Sequence, residues 1–202
     1  MLPNPLSLTA TTSSRVETSS LTSAAHLARA LKDYFGFDAF RPGQEAIVRD
    51  ILDGRDVLAV MPTGGGKSLC FQLPAVLREG LTLVVSPLIA LMQDQVRLLD
   101  DEGISATFIN SSLPAEEIAA RIRAARHGKY KLLYLAPERL LQADFFNGVL
   151  ARLAGSPGVG AVVIDEAHCV SEWGHDFRRE YRQLATLRRP YPRIPLLVFT
   201  AT

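Results

Sequence analysis

The chain has 202 residues, 48% hydrophobic and 21% charged, which suits one large globular domain or two small ones and excludes a chain disordered throughout. Its 22 basic and 21 acidic residues sum to +1, so it is no bulk polycation holding nucleic acid by charge alone, although a local basic groove stays open. No apolar run approaches the ~20 residues of a membrane helix. Met1–Thr22 lacks the basic-then-apolar pattern of a secretory signal. Cys70 and Cys169 lie too far apart for a zinc-type spacing, which predicts a reducing compartment and no metal site on thiolates.

In chain order, residues 1–23 are Ser-, Thr-, Leu- and Pro-rich with only Arg15 and Glu17 charged, and read as a flexible tail; a single arginine disfavours a transit peptide. Residues 24–35 read as a helix with Leu27, Leu31 and Tyr34 on one face and Gly36 as its stop. A second helix runs over 44–52 with Ile47, Val48, Ile51 and Leu52 inward, closing at Gly54. Apolar runs then recur at 57–61, 83–85, 107–109, 132–135, 161–164 and 196–199. Helix-compatible stretches separate most of them, at 67–77, 88–99, 115–125, 145–153 and 180–187. The runs do not alternate with polar residues, so each strand is expected to be covered on both faces. The alternation predicts an α/β fold, a parallel sheet with right-handed crossovers and helices on both faces, with function at the carboxyl ends of its strands.

The first strand leads into Met61-Pro62-Thr63-Gly64-Gly65-Gly66-Lys67-Ser68 and then a helix. Glycines let backbone N–H groups converge on phosphate oxygens, and a helix start adds positive potential. Thr63 to Ser68 are therefore candidate nucleotide ligands, with Lys67 reaching the β and γ phosphates and the Ser68 hydroxyl ligating Mg²⁺. Met61 stands where the common phosphate-loop pattern has a glycine; the alternative is an ordinary glycine turn. About 100 residues on, the fifth run ends in Asp165-Glu166-Ala167-His168. Asp165 is placed to hold Mg²⁺ and Glu166 to orient and deprotonate the attacking water, the alternative being an exposed acidic turn or a capping pair for a short helix.

These two motifs in this order resemble a superfamily-2 helicase of the DEAH-box spelling, and more finely the RecQ DNA helicases. The segments carrying the resemblance are Phe35 to Gln44, Met61 to Ser68, Ser86 to Met92, Tyr134 to Leu140, Asp165 to Cys169, Ser171 to Arg178 and Thr200 to Thr202, so it covers about residues 24–202. Within this superfamily the missing early glycine is ordinary. The resemblance implies a P-loop NTPase fold of RecA-like type and a catalytic set of Lys67, Asp165, Glu166 and His168. It also implies adenine recognition before the first strand. Gln44 has donor and acceptor groups for the adenine edge, and Phe37 or Arg41 can stack on the ring. Phe35 and Phe40 read as core; for Phe37 both readings stay open.

Ser86 sits at a strand-to-helix junction where its hydroxyl can grip a nucleic-acid phosphate. Asn110-Ser111-Ser112 reads equally as a similar contact or as a loop and cap. Arg139 is a candidate phosphate partner or a surface ion pair. The resemblance gives the loop from Ser171 to Phe177, with the only tryptophan, a role in coupling DNA contact to hydrolysis: Trp173, Phe177 and Arg178 are the residues expected to carry it and His175 to relay to the nucleotide, the alternative being that Trp173 plugs the sheet edge. Glu172 stands where the family commonly has glutamine, and Arg179 where it commonly has proline. Residues 170–193 hold six arginines and three acids, a basic face or simply a solvated helix. Thr200 and Thr202 resemble the helicase motif linking the acidic pair to strand movement. Cys70 and Cys169 read as buried small residues, His26 and His127 as surface positions.

The expectation is the first RecA-like lobe of an ATP-dependent 3′-to-5′ DNA helicase, using ATP and Mg²⁺, with no zinc in this chain. Its partners would be single-stranded or partly duplex DNA and a second lobe bearing an arginine finger, with no membrane. Its place would be in DNA repair or recombination, at a bacterial nucleoid or in a nucleus. The alternative is a nucleotide- and DNA-binding module without useful turnover.

Overall fold

The computed structural model describes residues 22–142, 145–168 and 191–201. Helices α1 (Ala24–Phe35) and α2 (Gln44–Leu52) precede strand β1 (Val57–Val60). Next come α3 (Lys67–Leu77), β2 (Leu81–Val85), α4 (Ile89–Asp101), β3 (Ala106–Ile109), α5 (Ala115–Arg126) and β4 (Leu132–Leu135). A short α6 (Pro137–Leu141), a π-helical turn (Phe145–Leu150) and α7 (Ala151–Gly155) lead to β5 (Val159–Ile164), and β6 (Leu196–Thr200) closes the described chain. The stretch read as one helix over 145–153 is thus wider-wound in its first half. The helix expected over 180–187 lies outside the described residues.

All strand pairings are parallel, in the order β1-β6-β5-β2-β4-β3. Residues from α3 and α4, such as Phe71, Met92 and Leu99, pack on one face with Ala59, Val84, Tyr134, Val163 and Phe199. Ile118 and Ala125 of α5, Phe145 and Leu150 of the π turn and Leu153 of α7 cover the other, against Leu83, Leu133, Leu135 and Ile164. Helix α3 is apolar nearly all round because it is covered twice: the sheet lies on one side, and Leu27, Leu31, Val48 and Leu52 of α1 and α2 lie on the other, against Leu69 and Leu73. Ser23 caps α1 by accepting from the His26 N–H, and Gly36 ends it at φ 72°. His26 itself is half-buried, not the surface position expected of it.

Coverage of both strand faces holds for the inner strands β2 and β4, which are buried throughout. It fails for β1, where Leu58 is 73% and Val60 56% exposed. The reason is position: β1 is a sheet edge paired only with β6, and no described element lies over its second face. Among the described residues no helix is long and apolar enough to cross a membrane.

At the amino end of the sheet Gly80 (φ 85°) runs against the β5 approach, where a Cβ would stand 2.9 Å from the Gly158 carbonyl oxygen. Gly80→Ala should therefore destabilise the fold by about 2 kcal/mol or more, from left-handed strain and backbone collision together; the urea midpoint measures it, and a change under about 0.5 kcal/mol contradicts the constraint.

Candidate active site at the carboxyl edge of the sheet

Every described candidate outside the segment from Ala39 to Gln44 and Phe37 sits at the carboxyl end of a strand or on the helix that follows it. The strand order sorts them into two groups. Adjacent β1, β6 and β5 carry the phosphate loop, Thr200 and the acidic turn; adjacent β2, β4 and β3 carry Ser86, Arg139 and Asn110.

The phosphate loop is built on two left-handed glycines, Gly64 (φ 76°) and Gly66 (φ 79°), the second capping α3. Gly65 cannot carry a side chain either, since its Cβ would lie 2.8 Å from the Pro62 carbonyl oxygen. Met61 takes no positive φ; its side chain is buried in the sheet core beside Cys70, so no glycine is needed there. Burial pushes the Cys70 thiol up to about 12, consistent with a small core residue rather than a nucleophile.

Gln44 is 2% exposed. Its side-chain oxygen accepts from the Arg41 N–H at 2.8 Å, and its amide donates to the Gly66 carbonyl at 3.1 Å. The Arg41 guanidinium donates to the Gly64 carbonyl. Both residues thus brace the phosphate loop from outside, a duty the sequence reading missed. With Phe37, Ala39, Gly66 and Leu69 they line a cavity of about 130 Å³. Phe37 stands 54% exposed at its mouth, whereas Phe35 and Phe40 pack against the apolar clusters, as expected.

Lys67 is buried with its Nζ 3.5 Å from Glu166 Oε1. Glu166 Oε2 lies 3.2 Å from His168 Nδ1, and Thr200 Oγ1 lies 3.4 Å from the same nitrogen. The four side chains form one polar chain across three strand ends. Glu166 has φ 51°, a conformation costing a side-chain-bearing residue about 1–2 kcal/mol and typical of functional turns. Asp165 is 4% exposed, which excludes the exposed-turn alternative for it. Burial, then the neighbouring Glu166, raises its pKa to about 6, against the lowering effects of the Glu166 N–H, Lys67 and His168.

On the other three strand ends, three buried polar atoms find no hydrogen-bond partner among the described residues: Ser86 Oγ, Asn110 Nδ2 and Arg139 Nε. Asn110 Oδ1 caps its own turn by accepting from Ser112, as the loop-and-cap reading expects, whereas Arg139 donates to the neutral Gln142 at 2.6 Å and not to an ion-pair partner; each side chain keeps one atom unsatisfied. Buried polar atoms without partners are costly and call for a ligand or water. Cys169, Glu172, Trp173, His175, Phe177, Arg178, Arg179 and Thr202 lie outside the described residues.

Because its native pKa lies above the ordinary 3.8, Asp165 favours the fold at low pH, and that contribution is lost as pH rises from about 4 to about 6. Asp165→Asn should stabilise the isolated chain by up to about 3 kcal/mol at pH 7, a difference closing toward zero near pH 4. Thermal melts across that range check the sign; a less stable variant at pH 7 would show that Asp165 is not held against its charge.

A model of the DEAD/DEAH box helicase family matches residues 41–202. The chain is 48% identical over 172 residues to an ATP-dependent DNA helicase RecQ of Haemophilus influenzae, covering 85% of this chain and 27% of that protein. Against the RecQ of Bacillus subtilis it is 47% identical over 176 residues, 85% of this chain and 29% of that one. It therefore spans between a quarter and a third of these relatives' length. Among solved structures, the DUF1998 helicase MrfA bound to DNA superposes with a TM-score of 0.68 at 23% identity, over 90% of this chain and 26% of that one. A hypothetical ATP-dependent RNA helicase from Sulfolobus tokodaii gives 0.65 at 22% identity, over 89% and 51%. At such identity these two show the fold alone, a RecA-like parallel sheet flanked by helices. With the family model spanning the phosphate loop, the acidic turn and the strand ends between them, the chain belongs to the DEAD/DEAH box helicase family.

Proposed function

We propose that residues 24–202 are the nucleotide-binding lobe of an ATP-dependent DNA helicase of RecQ type, which moves 3′ to 5′ along single-stranded DNA, with residues 1–23 as a tail outside the lobe. The observation that carries this reading is the side-by-side placement of two groups: the Lys67–Glu166–His168–Thr200 chain, and the three unsatisfied polar atoms on the neighbouring strand ends. The first suits a nucleoside triphosphate; the second suits a phosphate backbone, to which side-chain donors and hydroxyls commonly bond.

Lys67, paired with Glu166 in this structure, would exchange that carboxylate for the β and γ phosphates. Glu166, so released, would orient and deprotonate water while His168 holds its second oxygen. The donor set fits Mg²⁺. Asp165 is a buried carboxylate crowded by a like charge, and the Ser68 hydroxyl opens α3. Among the described residues no three His, Cys, Asp or Glu side chains cluster to hold a metal, which suits an ion that takes most of its ligands from phosphate and water. When bound, Mg²⁺ supplies neutralisation of the phosphate charge. Arg41, Gln44 and Phe37 would receive the base in the cavity they line. Trp173, His175, Phe177, Arg178 and Thr202 would couple strand contact to hydrolysis.

A second reading is a nucleotide- and DNA-binding module with little turnover. It draws on the share of its relatives that the chain spans, because an arginine finger supplied from elsewhere is typically worth ~10³–10⁵ in rate. Steady-state ATPase assays on this chain, with and without single-stranded DNA, separate the two. DNA-stimulated hydrolysis at rates typical of helicases would exclude the module.

In the full-length protein Lys67→Ala should abolish hydrolysis, whereas Trp173→Ala should reduce DNA stimulation and spare nucleotide binding; unchanged stimulation would remove Trp173 from the coupling role. Arg139→Ala should weaken single-strand binding about equally for all sequences and lower the salt slope by about one phosphate contact. Fluorescence anisotropy titrations at several salt concentrations read both, and an unchanged slope would place Arg139 off the strand.

A further inference from the structure

Helix α3 carries one polar side chain in its buried middle. Gln72 is 7% exposed among Leu69, Cys70, Phe71, Leu73 and Ala75. It lies four residues past Ser68, one turn on and on the same side of the helix. A buried amide is costly unless bonded. Gln72 spends both its N–H groups on other elements: Nε2 donates to Gln95 Oε1 of α4 at 2.8 Å and to the Tyr134 hydroxyl of β4 at 3.1 Å. Tyr134 is itself fully buried under the sheet end, within the field of Asp165.

Two features set this amide apart from ordinary core packing. A cavity of about 240 Å³ lies between α3 and α4, lined by Ser68 and Gln72 on one side and Gln95, Leu98 and Leu99 on the other. Beside that cavity the amide bridge is the polar link between two helices that deeper down share the apolar cluster of Phe71, Met92 and Leu99. Secondly, both acceptors belong to elements joined directly to the unsatisfied polar atoms: α4 starts three residues after Ser86, and β4 runs through Ala136 into α6 with Arg139.

We propose that Gln72 is a positioning residue that ties the phosphate-loop helix to α4 and β4, so that a shift of α3 on binding a nucleotide is passed to the groups that contact the strand. A directional pair of hydrogen bonds fixes two acceptors relative to one donor, where apolar packing would let them slide. This rests on the functional reading above. Neither Gln72 nor Tyr134 touches nucleotide or strand in that reading.

The test uses full-length protein and two single-arm variants, Tyr134→Phe and Gln95→Leu, with Gln72→Leu removing both arms. Single-strand affinity is measured with and without a non-hydrolysable ATP analogue, beside analogue affinity, basal hydrolysis and thermal melting. Both single-arm variants should keep analogue affinity and basal rate within about twofold, while the ratio of strand affinities with and without analogue moves about five- to tenfold toward unity. Loss of that ratio with intact analogue binding is what a merely stabilising role would not produce. If Gln72→Leu fails to fold, the single-arm variants decide alone. Normal strand binding and hydrolysis with an unchanged ratio in both would overturn this proposal and leave the functional reading standing. A wild-type protein that binds no strand would overturn both.

Discussion

The site depends on β6 being inserted between β1 and β5. A parallel ladder leaves the last carbonyls of a strand free to accept from whatever follows its neighbours. Here the end of β6 holds both the phosphate loop and the acidic turn. The Met61 N–H donates to the Thr200 carbonyl at 3.1 Å and the Ala167 N–H to the Phe199 carbonyl at 2.9 Å. The phosphate loop and the acidic turn, about 100 residues apart in sequence, are thereby fixed to consecutive residues of one strand. With both fixed, the buried Lys67 side chain meets Glu166 at 3.5 Å.

The same logic continues across the sheet. The Asp165 N–H donates to Val85 at the end of β2, the Ser86 N–H to Leu135 at the end of β4, and the Ala136 N–H to Ile109 at the end of β3. Backbone bonds thus link all the strand ends from Thr200 to Asn110 in one row. A displacement of the acidic turn has a short backbone route to Ser86, and the buried Gln72 amide offers α3 a second route to the same groups through side chains. Such continuity is a physical basis for coupling because a buried apolar core supports the sheet on both faces.

The cost of the arrangement is visible in the same residues. Asp165 is buried beside another acid, Glu166 sits in a left-handed conformation, and Ser86, Asn110 and Arg139 each keep an unsatisfied buried atom. Each is destabilising in the isolated chain, and in the function proposed above a ligand would pair the charge of Asp165 and the unsatisfied atoms of Ser86, Asn110 and Arg139. Stability given up locally at a site, against a core that over-determines the fold, is the usual relation between strain and function.

Much of this was legible in the sequence. The boundaries of α1, α2 and α3, the six strands and the identity of the two chemical motifs follow from periodicity, from glycines at positions that need φ above zero, and from the charge of Lys67, Asp165 and Glu166. These are local properties, set by a few neighbouring residues. The strand order is not local: nothing near Leu196 states that β6 pairs with β1 and β5, so the exposed Leu58 and Val60 of the β1 edge could not be read in advance, and the Thr200–His168 contact is anticipated only through the resemblance. Beyond the base recognition expected of them, Gln44 and Arg41 brace the loop carbonyls, a duty not legible in the sequence because those carbonyls belong to a segment some twenty residues away. Gln72 and Tyr134, single polar groups inside apolar runs, carry no signal in the sequence that the fold brings them and Gln95 together. The sequence alone determined which chemistry this protein carries; the tertiary structure decided which groups share a hydrogen bond, because burial and strand order, unlike periodicity, are properties of the whole chain.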